Sequence, residues 1–337
     1  MCSFLFRLPE NGKDSIMMNI TPSLDGAVRT AKYVRRSADL EVEFMKETKA
    51  KTYEYEYDDY EDGEKGAGTM VEEILKDPEF AELTEVVIGD WGNAWDDSCQ
   101  EIIDGIVEHA DRFSHIDRLF IGDMDYECCE VSWIMQGNYS KLWAAMPQLK
   151  ALTIKGSTDL VLGKISHENL EELTIICGGL PEDVLMAIQE AHLPNLRKLL
   201  LYLGVDNYGF DGDADRIRTF LEKSDFPRLT YLGLTDSEIQ DELAEVVLES
   251  KYIGQIRTLD LSMGSLTDKG GDLLLTRLPS YSNIEVLDVH YHYMSSEMVK
   301  KLEGLCAQHI EVNASEQEKP YTSSYDGTVY YTPMLTE

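Results

Sequence analysis

Three groups of side chains in this sequence have the residue types and spacing to do chemistry. The first is acidic: Asp90, Asp123 and Asp125, with Asp96, Asp97, Glu127 and Glu130 close by. Asp90 and Asp123 hold the same offset in two successive hydrophobic frames, so hard oxygen ligands for Ca²⁺ or Mg²⁺ would gather there. Turn capping and solvated loops account for the same residues without a metal. In the second group, Asp211, Asp213, Asp215 and Glu222 match the ligand spacing of a calcium loop. Arg216 occupies the position where that loop needs Gly, and a helical pattern starts at Ile217, so capping of a helix by aspartate is the better reading. The third group is Asp288, His290 and His292, which alternate toward one face of a strand with Asp260 one unit earlier. It reads as an acid–base or metal group, or as packing on a terminal unit.

None of these is completed by a catalytic motif. There is no G-x-S-x-G elbow, no H-E-x-x-H and no phosphate-binding glycine loop. The reading is therefore of a non-catalytic protein with no cofactor and no assigned metal site. The alternative is a metal-dependent enzyme, or an obligate accessory subunit of one, using the acidic loops after the first two strands or the C-terminal histidines.

The elements that must position these residues repeat along the chain. In IRTLDLSMGSLTDKGGDLLL, Ile256, Leu259 and Leu261 have the spacing L-x-x-L-x-L. A small-residue turn follows, then a helix capped by Thr267 with Leu273, Leu274 and Leu278 on its apolar side. The same frame occurs at Leu83-Val86-Ile88, Ile116-Leu119-Ile121, Leu149-Leu152-Ile154 and Leu170-Leu173-Ile175. It continues at Leu196-Leu199-Leu201, Leu229-Leu232-Leu234 and Ile284-Leu287-Val289, with a weak ninth at Ala307-Ile310-Val312. Most units leave room for a return helix. The shortest, from Leu149 to Leu170, predicts only a turn there.

Such units predict an α/β solenoid, with parallel strands on a concave face and helices on a convex one. Strands stack about 4.8 Å apart and helices about 8–10 Å apart, so the stack must bend. The expected organisation is an irregular lead-in over 1–38, an N-terminal cap over 39–82, about eight repeats over 83–313 and a polar, aromatic tail over 314–337. The alternation of Val42, Phe44, Tyr53, Tyr55 and Tyr57 predicts that the cap is a β-hairpin turning through Lys49 to Lys51.

The stretch LDLSMGSLTDKGGDLL resembles a leucine-rich repeat of the ribonuclease-inhibitor-like type. VVIGDWG, FIGDMDYECCEVSWI, YGFDGDAD and LGLTDSEIQDE are similar to an uncharacterised bacterial family of cytoplasmic leucine-rich-repeat proteins. That resemblance implies a cytoplasmic protein and a role accessory to radical-type and ATP-grasp enzymes. One departure stands out: the Asn or Cys that bonds successive coils is replaced by Trp91, Met124, Ser157, Gly178, Gly204, Ser237, Gly264 and His292. Backbone groups at those turns must find other partners.

Residues between the frame leucines face the open side, because strand side chains alternate. The candidate partner-binding surface is thus Arg118, Phe120, Thr153, Lys155, Lys198, Tyr202, Tyr231, Asp260, Asp288 and His290. Aromatics beside convergent charges suit a protein or peptide. The 337 residues carry 30 basic and 63 acidic side chains, a net charge of -33. Such a surface repels phosphate backbones and anionic lipid, so nucleic acid and membrane are excluded and a basic partner is favoured. Six cysteines without framework spacing point to reduced thiols. No apolar run approaches the roughly 20 residues that span a bilayer. A cytoplasmic monomer is expected.

Overall fold

The computed structural model describes residues 49–325 and 327–335. Its centre is a ten-stranded parallel sheet in strict chain order. The strands are β1 (Ala50–Tyr55), β2 (Glu85–Trp91), β3 (Arg118–Ile121), β4 (Ala151–Lys155) and β5 (Glu172–Ile176). They continue with β6 (Lys198–Gly204), β7 (Tyr231–Ser237), β8 (Thr258–Asp260), β9 (Val286–Asp288) and β10 (Glu311–Asn313). The eight strong frames are β2 to β9, and the weak ninth is β10. The sheet is open: β1 and β10 are its two ends and do not pair with each other.

Helices connect the strands: α1 (Tyr57–Glu61), α2 (Ala67–Lys76), α3 (Gln100–Glu108), α4 (Leu142–Ala145) and α5 (Glu182–Gln189). They continue with α6 (Ala214–Lys223), α7 (Gln240–Glu249), α8 (Asp268–Arg277) and α9 (Ser296–Glu303). Their starts follow from capping chemistry. Asp213 accepts from the amide of Arg216 at α6, Thr267 from Lys269 at α8, and Ser295 from Met298 at α9. The short unit between β4 and β5 has no helix, as its length requires. The apolar stripes of the helices meet the frame leucines in one continuous core from Tyr55 to Ile310.

The sheet exits repeat as well. The fourth residue after the central frame leucine is left-handed at Gly156 (φ +102°), Asp236 (φ +54°), Met263 (φ +65°) and Tyr291 (φ +52°). Only the first is the glycine such a backbone favours. The missing asparagine ladder is replaced piecemeal. Ser157 Oγ donates to the Gly179 carbonyl (2.8 Å), Gln136 Nε2 to Lys155 (2.7 Å) and Ser265 Oγ to Ser237 (3.1 Å). Each bond reaches the neighbouring unit.

In the N-terminal cap Ala50–Tyr55 is a strand, and it joins the sheet by pairing in parallel with β2. Tyr53 and Tyr55 do face the core, whereas Tyr57 leaves the alternation because α1 begins there, and its ring is 46% exposed. Val42, Phe44 and the lead-in lie outside the described residues. The tail forms a two-stranded antiparallel ribbon, β11 (Tyr321–Thr322) with β12 (Val329–Tyr330). Among the described residues, no helix is long and apolar enough to cross a membrane. Cys99, Cys128, Cys129, Cys177 and Cys306 are free thiols.

Candidate functional site

The face of the sheet opposite the helices carries the residues between the leucines in direct register. One row runs Glu85, Arg118, Ala151, Glu172, Lys198, Tyr231, Thr258, Val286. The next runs Val87, Phe120, Thr153, Thr174, Leu200, Gly233, Asp260, Asp288. Seven of the ten candidate residues lie in these two rows, Lys155 and Tyr202 lie two residues further along β4 and β6, and His290 follows the end of β9; the structure ties many of them to one another.

Arg118 reaches across the small Ala151 to fork onto Glu172 (3.1 and 3.3 Å), and its Nε lies 3.7 Å from Glu85. Lys155 donates to the Met124 carbonyl. The Lys198 ammonium sits 4.8 Å from the Tyr231 ring centroid, and Tyr231 donates its hydroxyl to Asp260. Asp260 is buried and also accepts from Ser262 Oγ (2.6 Å). Burial pushes its pKa up. Phe120, Thr153, Ile176, Leu200 and Tyr202 remain half-exposed across the centre. Burial raises the Tyr202 hydroxyl to about 12, so it stays a neutral donor.

The C-terminal group divides. His290 Nδ1 lies 2.7 Å from Asp288 Oδ1, and Asn313 Nδ2 donates to the same carboxylate at 3.0 Å. That bond to Asp288 raises the His290 pKa, with burial opposing it. His292 does not join them. The left-handed turn at Tyr291 breaks the alternation and sends His292 inward, fully buried. Its Nδ1 accepts from the Met294 amide (3.1 Å) and its Nε2 donates to the Ala314 carbonyl (3.1 Å), the one arrangement a neutral ring allows. His292 is a structural link between units.

Sequence reasoning missed Asp236 beside this region. It is buried at the exit of β7, accepts from the Leu335 amide (2.7 Å), and has its other carboxylate oxygen unpartnered. Burial raises its pKa to about 8. The tail reaches it by crossing the strand exits. Tyr293 donates to the Thr332 carbonyl (2.7 Å) and accepts from its amide (3.1 Å), and Met334 donates to Met263 (2.8 Å). Residues that are 99 positions apart meet here, which no local pattern signals.

The acidic loops at the other end hold no metal-type grouping: among the described residues no three His, Cys, Asp or Glu side chains are placed to share an ion. Asp90 accepts from the Gly92 amide (2.8 Å) and Asp125 from Glu127 (3.0 Å), both as turn caps. Asp123 follows β3, where its amide donates to the Ile88 carbonyl of β2 (2.9 Å). Asp211 accepts from the amide of Glu182 at the start of α5 (2.7 Å), so that segment caps two helices. What the N-terminal loops do form is a cleft of about 750 Å³ at the exits of β1, β2 and β3. Its acids are Glu54, Glu56, Asp59, Asp90 and Glu127, and its aromatic walls are Tyr55, Tyr57 and Trp95. A shallower depression lined by Tyr126 and Trp133 shares Trp95 and Glu127 with it. The signal available in the sequence was the pair of tryptophans in DWGNAWDDS, of which only Trp91 is core.

An α/β protein built on a repeat-like, open parallel sheet is the class these features define. The chain is similar to a Bacteroides fragilis protein whose crystal structure was solved as a structural-genomics target. The two are 38% identical, the match covers 85% of this chain and 77% of that one, and the TM-score is 0.75. The chain belongs to the same family as that Bacteroides fragilis protein. No protein-family model and no curated protein matches it.

Proposed function

We propose that the chain is a leucine-rich-repeat solenoid of the ribonuclease-inhibitor-like type and acts in the cytoplasm as a non-catalytic binding scaffold. Its concave sheet face docks a protein or peptide. The observation that carries this reading is the half-exposed strip made by Phe120 and Leu200 in one cross-strand row and by Ile176 and Tyr202 two residues further along β5 and β6. They stand between charges already fixed by Arg118–Glu172 on one side and Tyr231–Asp260 on the other. A rigid apolar strip with locked polar flanks needs little ordering when a partner arrives. Aromatic and large aliphatic residues in such a strip are the usual energetic anchors of an interface.

The test is co-purification from cell extract with the wild type, Leu200→Ala/Tyr202→Ala, and the helix-side control Glu245→Gln/Asp272→Asn. A partner retained by the control and lost by the sheet-face variant supports the reading. Equal recovery with both variants refutes it.

A further inference from the structure

We propose that the cleft at the exits of β1, β2 and β3 binds the guanidinium of an arginine in a partner peptide. This site is separate from the strip of Leu200 and Tyr202, and either reading stands without the other.

The walls set the chemistry. Tyr57 and Trp95 lie 5.4 Å apart between ring centroids, tilted by 31°, and expose 46% and 41% of their surface. Large aromatic rings left in water beside a cavity are faces to be covered. Their companions are carboxylates. Asp59 has a cation, because Lys65 approaches its Oδ2 to 3.3 Å. Glu54, Glu56, Asp90 and Glu127 form no ion pair among the described residues. A cavity with π-faces, several carboxylates outside any ion pair and, among the described residues, no basic side chain in its lining complements an organic cation.

The protein already seats one cation on this surface. The Lys65 ammonium sits 5.0 Å from the Tyr55 ring centroid while it bonds to Asp59. Ring and carboxylate act together on a single cation at the cleft's edge, and Tyr57, Trp95 and Glu54 bring the same two kinds of group to its lining. The backbone is shaped to allow it. A Cβ at Gly89 would come within 2.8 Å of Glu54 Cβ, so glycine there lets the Glu54 side chain lie across β2.

Two alternatives are less suited. A bare divalent ion needs convergent oxygens, and the described residues offer no such grouping. A lysine ammonium is a compact, strongly hydrated point charge, whereas a guanidinium is planar, stacks on a ring and forks onto carboxylates in the same pose. The cleft offers both surfaces to one side chain.

The experiment is isothermal titration of the intact protein with a capped Gly-Gly-Arg-Gly-Gly peptide at about 150 mM salt, which screens the chain's overall charge. The same peptide with citrulline in place of arginine keeps the shape and removes the charge. Binding of the arginine peptide should exceed that of the citrulline peptide by about tenfold or more. Trp95→Ala and the isosteric Glu54→Gln/Asp90→Asn should each weaken it by about the same factor. Glu245→Gln/Asp272→Asn, which removes two exposed charges from α7 and α8, should change it less than about twofold. The proposal is overturned if the citrulline peptide binds equally, if the helix-side variant weakens binding as much as the cleft variant, or if the arginine peptide gives no binding heat. Circular dichroism of each variant separates loss of the site from loss of the fold. No arginine-peptide binding by the wild type, with partner capture still lost in Leu200→Ala/Tyr202→Ala and kept in the helix-side control, would remove this site and leave the scaffold reading standing.

Discussion

The two ends of the sheet carry the same kinds of residue in opposite states. At the C-terminal end, acids and aromatics are consumed within the chain: Tyr231 by Asp260, Asp288 by His290 and Asn313, Tyr293 by Thr332, and Asp236 by Leu335. At the N-terminal end, Glu54, Asp90, Tyr57 and Trp95 converge on an open cleft with no cation to match them among the described residues. Part of the difference lies between neighbouring strands, where Asp260 and Asp288 find partners, and part comes from the tail, which crosses the exits of β7 to β9 and engages Tyr293 and Asp236. The exits of β1 to β3 have no such strap among the described residues. Residue type alone therefore does not mark a site here. Whether the chain has already supplied the partner does.

The largest test of that contrast is Asp236, the acid the tail covers. Its folded pKa of about 8 lies above the unfolded value of 3.8, so the native state holds the proton more tightly. Its titration contributes no cost below pH 3.8, a cost that grows as pH rises toward 8, and a constant cost above that. Asp236→Asn removes this titration, keeps an acceptor for the Leu335 amide and suits the positive φ. The variant should gain stability over the wild type by up to about 1.4 kcal/mol per pH unit across that window. Chemical denaturation at pH 5 and pH 8.5 reads it. A gain that is the same at both pH values would show that Asp236 is ionised throughout.

Arg118→Ala probes the locked flank of the open face. It removes the forked bond to Glu172 and leaves Glu85 and Glu172 with no cation between them. A loss of about 1–2 kcal/mol is expected, and it should shrink in high salt if repulsion dominates. An unchanged denaturation midpoint would mean that the flank is solvated and free to meet a partner.

Much of the frame was legible because it is periodic. Leu259 and Leu261 alternate, the α8 leucines recur at helical spacing, and the cross-strand rows follow from the offsets alone. What was not legible depends on breaks in period or on distance along the chain. Tyr57 continues the alternation on paper, but α1 starts there and turns its ring outward. His292 matches His290 in parity, yet the left-handed Tyr291 lies between them. Arg118 and Glu172 meet only because Ala151 is small. Trp95 lies in a loop, where no period exists to assign its face.

His290 sharpens the comparison from the consumed end. The Asp288 bond raises its pKa above 6.5, so the pair's stabilisation is full below pH 6.5 and fades as pH rises through the folded value. The Asp288 pKa ends below 3.8: burial pushes it up, and the bonds from His290 outweigh that, so acid removes the same stabilisation below about pH 4. His290→Gln should cost about 1 kcal/mol at pH 5.5 and less at pH 8.5. In NMR titration, Asp288→Asn should return the His290 midpoint toward 6.5. An unshifted midpoint would mean that the carboxylate is not holding the ring.

The smallest effect concerns the strap itself. Tyr293→Phe removes the hydroxyl that both donates to and accepts from Thr332, while the edge contact of its ring with Tyr331 survives at 5.2 Å between centroids. Each lost bond is worth about 1 kcal/mol at most, and Thr332 and Met334 are exposed, so water replaces part of it. Global stability should hardly move, but amide exchange at Met334 and Leu335 should accelerate as the tail lifts more often. Loosening the strap should not create arginine-peptide binding at this end, because Asp260 and Asp288 stay engaged by Ser262, Tyr231 and His290. Should a second binding event appear in that variant, the tail would be an occupant of a site, and the two ends would differ only in which one the chain has filled.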